Sequence, residues 1–260
     1  MAKVISICNQ KGGVGKTTSA INISAALAHY SRRVLLVDMD PQGNASQGLG
    51  FDISLLSKCV LDVLNDEQDI KKVIKTTNVK NLDLLPSKLK LASMDDLDSG
   101  ENKYFILKDN LSKINNQYDY IIIDCPPSFG FLTLNSLVAS NTVIIPVQCE
   151  YFAMAAISQM LAAISKIQST LNSSLSIEGF LLTMYDAKTN MDTDITIQVR
   201  SLFKENTFLT QIPRNISIPE SNQKGEPVIA YRPTSSGALA YLALAKEIMD
   251  HEQQLKKNWY

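Results

Sequence analysis

The stretch Lys11-Gly12-Gly13-Val14-Gly15-Lys16-Thr17-Thr18 constrains this chain more than any other. It follows a short apolar run, Lys3 to Cys8, whose β-branched residues read as a buried strand. It leads into Thr17 to Tyr30, where Ala20, Ile21, Ile23, Ala26 and Leu27 carry helical spacing. Strand, glycine-rich turn and helix in that order separate a phosphate loop from a turn that merely connects two elements. Glycines let the backbone curl until its N–H groups face one point, and the helix adds the positive end of its dipole. Lys16 stands where an ammonium reaches the β- and γ-phosphates, and Thr17 offers a hydroxyl to Mg2+. Lys11 is a second lysine ahead of the first glycine. It reads either as an ordinary surface lysine or as an extra cation for a triphosphate, supplied across a dimer interface.

Two more apolar runs end in aspartate. Arg33 to Met39 carries Asp38 and leads to Asp40 before Pro41, and Asp119 to Cys125 carries Asp124 before Pro126. In a doubly wound sheet the ligand lies at the carboxyl ends of the strands, so carboxylates there converge on it. Asp124, after three isoleucines, has the context of an Mg2+-binding aspartate. Asp40 is the candidate for orienting an attacking water, with turn capping as the alternative. Asp38 could equally hold the loop by hydrogen bonds.

Further strands are expected at Asn81–Leu85, Thr142–Val147 and Ile177–Met184, with Phe208–Ile212 as a short one. Helices are expected near Val60–Leu64, Ile70–Thr76, Leu132–Ser140, Phe152–Leu171 and Thr193–Glu205, and in two pieces within Leu89–Gln117. Pro213 to Pro233 reads as an extended loop, after which Ser235 or Ser236 caps a final helix reaching Leu255. Strands that are apolar without strict alternation, interleaved with helices, predict an α/β fold: a doubly wound, mainly parallel sheet with helices on both faces. One P-loop ATPase domain over 1–260 is the simplest division of the chain.

Apolar residues make up 45% of the 260 and charged residues 20%, enough for a substantial core. The formal net charge of −1 means that any nucleic-acid contact must come from a local patch. The four cysteines, Cys8, Cys59, Cys125 and Cys149, show no metal-ligand spacing and read as reduced thiols. With no signal peptide and no bilayer-length apolar stretch in the sequence, a cytoplasmic protein is expected.

Taken together, these motifs resemble the ParA/MinD family of deviant-Walker ATPases, and within it the ParA/Soj branch that segregates chromosomes and plasmids. The resemblance rests on Asn9 to Thr18, Val37 to Asn44, Asp119 to Ser128, Pro146 to Ala153 and Pro213-Arg214-Asn215, and it is weakest from Asp52 to Asn116. It implies ATP and Mg2+ as cofactors, with Gly12, Gly13, Val14, Gly15 and Thr18 around the phosphates and Thr17, Asp40 and Asp124 at the metal. It makes Lys11 the signature lysine that reaches a partner's ATP, Lys16 the P-loop lysine, Asp40 the residue that positions water and Asp124 the Walker B residue. Pro213, Asn215 and Met184 would border adenine. It further implies an ATP-dependent homodimer, nonspecific DNA binding and a ParB-type partner that stimulates hydrolysis. Many relatives carry an arginine at the position of Ser217, which cannot neutralise a phosphate. Lys188, Arg200, Arg214 and Lys224 remain as candidate DNA contacts, with Lys204, Lys256 and Lys257 as further basic residues, and weak, low-salt-favoured binding is expected.

Other outcomes of the same resemblance are a MinD-type membrane-surface ATPase and a protein-cargo positioning ATPase. The tail from Lys246 to Tyr260 interrupts its apolar face with acids and glutamines, so no membrane binding is expected. An iron protein of the nitrogenase type would need cysteines at a dimer axis. With the loop starting near residue 9, an N-terminal helix-turn-helix domain is not expected.

Overall fold

In the computed structural model, residues 1–91, 101–150 and 153–257 are described. Seven strands form one sheet: β1 (Lys3–Ile7), β2 (Val34–Asp38), β3 (Lys75–Thr76), β4 (Leu82–Leu85), β5 (Tyr120–Asp124), β6 (Thr142–Gln148) and β7 (Ser176–Thr183). Their order is β3-β4-β2-β5-β1-β6-β7, parallel throughout except for β3 against β4. The helices are α1 (Lys16–His29), α2 (Asn44–Gly48), α3 (Val60–Leu64), α4 (Ile106–Ser112), α5 (Phe131–Ala139), α6 (Ala153–Thr170), α7 (Asn190–Phe203), α8 (Ser217–Lys224), α9 (Val228–Tyr231) and α10 (Ser236–Lys257).

The central strands are apolar at nearly every position because both sheet faces are covered. Val4, Leu35, Val37, Ile121 and Ile123 point to a core shared with α3 to α7. Their neighbours Ile5, Leu36 and Ile122 point to a second core under α1, α9 and α10. The chain leaves β1 for β2, beyond β5, and later places β6 on the other side of β1. The loop after β1 therefore opens at the switch point of the sheet, where such folds bind ligands.

The segment expected as a loop from Pro213 to Pro233 instead contains α8 and α9. Pro219 is the third residue of α8, within the first turn, where its missing N–H costs no internal bond. Gly225, with φ of 69°, ends that helix in the left-handed region. Phe208–Ile212 is not a strand. Phe208 and Ile212 donate to the carbonyls of Phe180 and Leu182 on β7, at 3.1 and 2.9 Å. The N–H groups of Leu209 and Thr210 instead donate to the Glu247 carboxylate on α10, which interrupts the ladder.

Ile70–Lys72 is a single tight turn, and the end of the helix expected there is β3. Within Leu89–Gln117, residues 101–105 form a tight turn before α4, and residues 92–100 lie outside the described region, as do Phe152, Trp259 and Tyr260. Ser235 does cap α10, its hydroxyl oxygen accepting from the Ala238 N–H at 3.2 Å. Among the described residues no helix is long and apolar enough to cross a membrane.

Candidate functional site

The turn between β1 and α1 is held from β6 on one side and β7 on the other. Asn9 donates to the Pro146 carbonyl at 2.7 Å and accepts from the Lys11 N–H at 3.0 Å, tying the loop's entry to β6. Thr183 donates to the Val14 carbonyl at 2.9 Å, tying its crown to the end of β7. Gly13 and Gly15 have φ of 75° and 87°, a region that a side chain disfavours. Lys16 is buried, with its ammonium donating to the Lys11 carbonyl at 2.9 Å, across the mouth of the loop. Lys11 itself forms an ion pair with Glu150 at the partly exposed rim. Glu150, just past β6, was not singled out from the sequence.

Asp124 and Asp38 end β5 and β2, side by side in the ladder. Asp38 accepts from the Ser46 N–H at 2.8 Å, the Ser46 hydroxyl at 2.7 Å and the Asp40 N–H at 3.2 Å. It therefore holds the turn onto α2, the second of its two readings. Burial pushes its carboxyl up to about 7, against the pull of the Ser46 hydrogen bonds. Asp40 accepts from the Gln42 N–H at 2.9 Å, closing its own turn, and its other oxygen bonds to no described residue. Its carbonyl takes the Ser87 hydroxyl at 2.7 Å.

Asp124 differs from both. It is fully buried, and neither carboxylate oxygen accepts a hydrogen bond. Burial, then the charge of Asp38, raises its pKa well above the ordinary range, and the nearby Thr17 hydroxyl only partly opposes this. A buried carboxylate without partners is costly unless a cation completes it. Thr17, Asp40 and Asp124 make an oxygen-only donor set of the kind that suits Mg2+. Cys125 beside them is buried, as are the other three cysteines, all of them free thiols.

Next to the loop lies a cleft of about 270 Å³. Gly13, Gly15 and Thr18 form its phosphate end, and Met184, Ile212 and Pro213 its apolar end. Met184 has φ of 52°, strained for a side-chain-bearing residue, where β7 turns away from the sheet. Asn215 also lines the cleft, but its amide is engaged: it donates to Ser236 at 2.7 Å and accepts from the Ser217 N–H at 2.9 Å. Asn222 and Tyr241 complete the wall, and neither was picked from the sequence.

Residues 2–177 match the family model described as an AAA domain. The chain is 48% identical over 249 residues to the sporulation initiation inhibitor protein Soj of Bacillus subtilis, covering 95% of this chain and 98% of that one. It is 43% identical to the chromosome-partitioning ATPase Soj of Treponema pallidum, over 98% and 100% of the two chains. The chain belongs to the ParA/Soj family of ATPases. A solved structure from Mycobacterium smegmatis, described as cobyrinic acid a,c-diamide synthase with bound ADP and magnesium, superposes with a TM-score of 0.85. It is 36% identical over 97% of this chain and 96% of that one.

The basic residues expected at a ParA/Soj nucleic-acid face do not all stand free. Arg214 and Lys224 are exposed, on the cleft's rim and at the end of α8, and Lys188 is exposed before α7. The Arg200 guanidinium donates to the Phe208 and Leu209 carbonyls at 3.2 and 3.0 Å, bracing the segment beside β7. Ser217 is buried at the start of α8. Its hydroxyl accepts from Arg232 at 3.3 Å, so a guanidinium from beyond α9 stands at the position where Ser217 supplies none. Arg232 was missed because only the fold brings it there.

Proposed function

We propose that this ParA/Soj ATPase is a single nucleotide-switched domain over 1–260. In this reading it dimerises on ATP, binds duplex DNA without sequence preference and partitions a chromosome or plasmid with a ParB-type partner that stimulates hydrolysis. The observation that carries it is a phosphate nest with two lysines in different places. Lys16 lies across the mouth, and Lys11 stands at the partly exposed rim, paired with Glu150; in this reading Lys11 would exchange Glu150 for the nucleotide of a facing subunit. Lys16 and the N–H groups from Gly12 to Thr18 would hold the phosphates, with the base between Met184 and Pro213. Thr17 and Asp124 would hold Mg2+, with Asp40 beside them orienting the attacking water. The metal, when bound, neutralises charge developing on the phosphate oxygens.

ATP supports the dimer only if it binds that state better, so hydrolysis removes the preference and releases the DNA. Arg214, Lys224 and Lys188 are the side chains offered to phosphates, together with Arg232, which lies 3.9 Å from the Glu220 carboxylate and would exchange that partner for a phosphate. Arg232 replaces part of what Ser217 lacks, and the contact set stays small, favouring low salt. The fold and the ATPase family fit a cytoplasmic protein that associates with the nucleoid in its ATP state.

Co-sedimentation with nonspecific duplex DNA tests this reading. Binding is expected with ATP but not ADP, in wild type and Asp40→Ala, and not in Lys16→Ala. Arg232→Ala should weaken binding on all sequences and reduce the salt slope by about one. ATP binding without DNA binding in any state would overturn the DNA reading and point to a membrane or protein matrix.

A further inference from the structure

Asn222, the sixth residue of α8, has the one amide oxygen among the described residues that is buried with no hydrogen-bond partner. Its nitrogen donates to the Thr18 hydroxyl at 3.3 Å, at the first turn of α1. Thr18 is itself fixed, because its carbonyl accepts from Asn22 at 2.8 Å while Asn22 accepts from the Val228 N–H at 2.8 Å. One end of the Asn222 amide is therefore anchored to the phosphate loop, and the other is unpaired.

The side chain lines two spaces. One is the cleft with Gly13 and Gly15 at one end and Met184, Ile212 and Pro213 at the other. The other is a polar hollow beside Thr17 and Thr18, lined also by Asn44, Gln47 and Gln223. A nucleotide with its phosphates on the loop and its base in the apolar end puts its sugar between them, against Thr18 and Asn222. An unpaired buried amide oxygen is costly to leave and gains most from a new donor. The side chain lines the cleft while its oxygen is buried, so pairing with a sugar requires the side chain to turn toward the cleft. Either end of the amide can face Thr18 without changing this outcome. A sugar hydroxyl both donates and accepts, so it satisfies the oxygen or the NH2 group alike.

We infer that Asn222 reads the sugar of the bound nucleotide, pairing with its 2′- or 3′-hydroxyl and setting a preference for ATP over the analogue that lacks that hydroxyl. This rests on the nucleotide site proposed above and adds a specificity residue to it. A site built to pair with a hydroxyl rejects the analogue that lacks it, because its polar group is then left alone.

The test is the affinity of the full chain for ATP, 2′-deoxy-ATP, 3′-deoxy-ATP and the 6-unsubstituted purine riboside triphosphate, by calorimetry with Mg2+. Wild type should bind one of the two deoxy analogues about 5- to 10-fold more weakly than ATP. Asn222→Ala and the near-isosteric Asn222→Leu should bring that ratio close to one. Equal binding of ATP and both deoxy analogues by wild type overturns the inference, whether or not the variants fold. So does a ratio that survives in both variants. Selective loss with the 6-unsubstituted purine, removed by the same substitutions, would overturn it in favour of base reading. Failure of wild type to bind ATP at all would instead defeat the nucleotide site itself, with Lys16→Ala as its control.

Discussion

The two ends of the same strands are built on opposite terms. At the amino end of the sheet Lys3 pairs with Glu178 at 2.7 Å, Arg33 with Asp119 at 3.0 Å, and the Tyr118 hydroxyl donates to Asp83 at 2.9 Å. The Tyr120 hydroxyl, at the start of β5, donates to Glu252 on α10. At the carboxyl end of β5, Asp124 is buried and bonds to nothing, and Lys16 nearby has only a carbonyl. The other unpaired buried atoms among the described residues are three hydroxyls and the Asn222 amide oxygen, so Asp124 is the sole carboxylate of that kind. The amino-end charges named here are satisfied within the chain, whereas the carboxyl end leaves Asp124 for something that is not part of it. Proteins break the rule of satisfied polar groups where function requires it.

The largest way to break this comparison is at Asp124. Asp124→Asn is expected to lower ATP turnover by about 100-fold or more, because the metal loses its charged ligand. The same substitution replaces a buried carboxyl group that has no partner, so unfolding stability at pH 7 should change by no more than about 1 kcal/mol. Turnover and urea unfolding on one preparation check both. A variant that is inactive and also markedly less stable would mean that Asp124 is structural.

At the opposite end of β1 the reverse should hold. Lys3→Met leaves Glu178 buried without its cation, which costs about 3 kcal/mol of stability. ATP affinity should not change, since the phosphate loop is at the other end of the strand. The double variant Lys3→Met/Glu178→Met should recover most of the loss in urea melts. A lone Lys3→Met with unaltered stability would show that this edge is no better satisfied than the site.

The legibility of the two ends differs for the same reason. The site was readable because a chain-local spacing, Lys11 to Thr18, and two aspartates at the ends of apolar runs each carry their own chemistry. The doubly wound sheet followed from strands buried on both faces. The pairs at the amino end were not readable, because Lys3 and Glu178 are brought together only by β1 and β7 lying on either side of β6. Arg232 beside Ser217 and Glu150 beside Lys11 escaped for that reason too. Helix α8 escaped differently: its proline in the first turn and its glycine cap are helix-compatible, but the same residues crowd loops. Asp38 stayed open between two roles until Ser46, eight residues on, was seen to supply two of its hydrogen bonds.

Acid titration gives the sharpest contrast, because Asp38 and Asp119 should act with opposite sign. Burial raises Asp38 from an ordinary 3.8 to about 7, so between those values the folded chain keeps a proton that the unfolded chain releases. Its favourable contribution is complete below 3.8 and is lost as pH rises toward 7. The Arg33 hydrogen bond lowers Asp119 below 3.8, so its contribution is present above that value and is lost as pH falls through the lowered one. The second effect is slight, since the pair is exposed and screened. Carboxyl carbon resonances followed from pH 2 to 8 read both groups directly, and urea midpoints across the same range read their consequence. Asp38→Asn should be less stable overall, because its amide cannot accept from both Ser46 and Asp40. It should nevertheless flatten the slope between pH 4 and 7, leaving the share that the raised Asp124 contributes, while Asp119→Asn keeps the full slope and changes only the acid limb. An Asp38 that titrates at an ordinary carboxylate value would remove the asymmetry between the two ends at its source, leaving Asp124 alone to carry it.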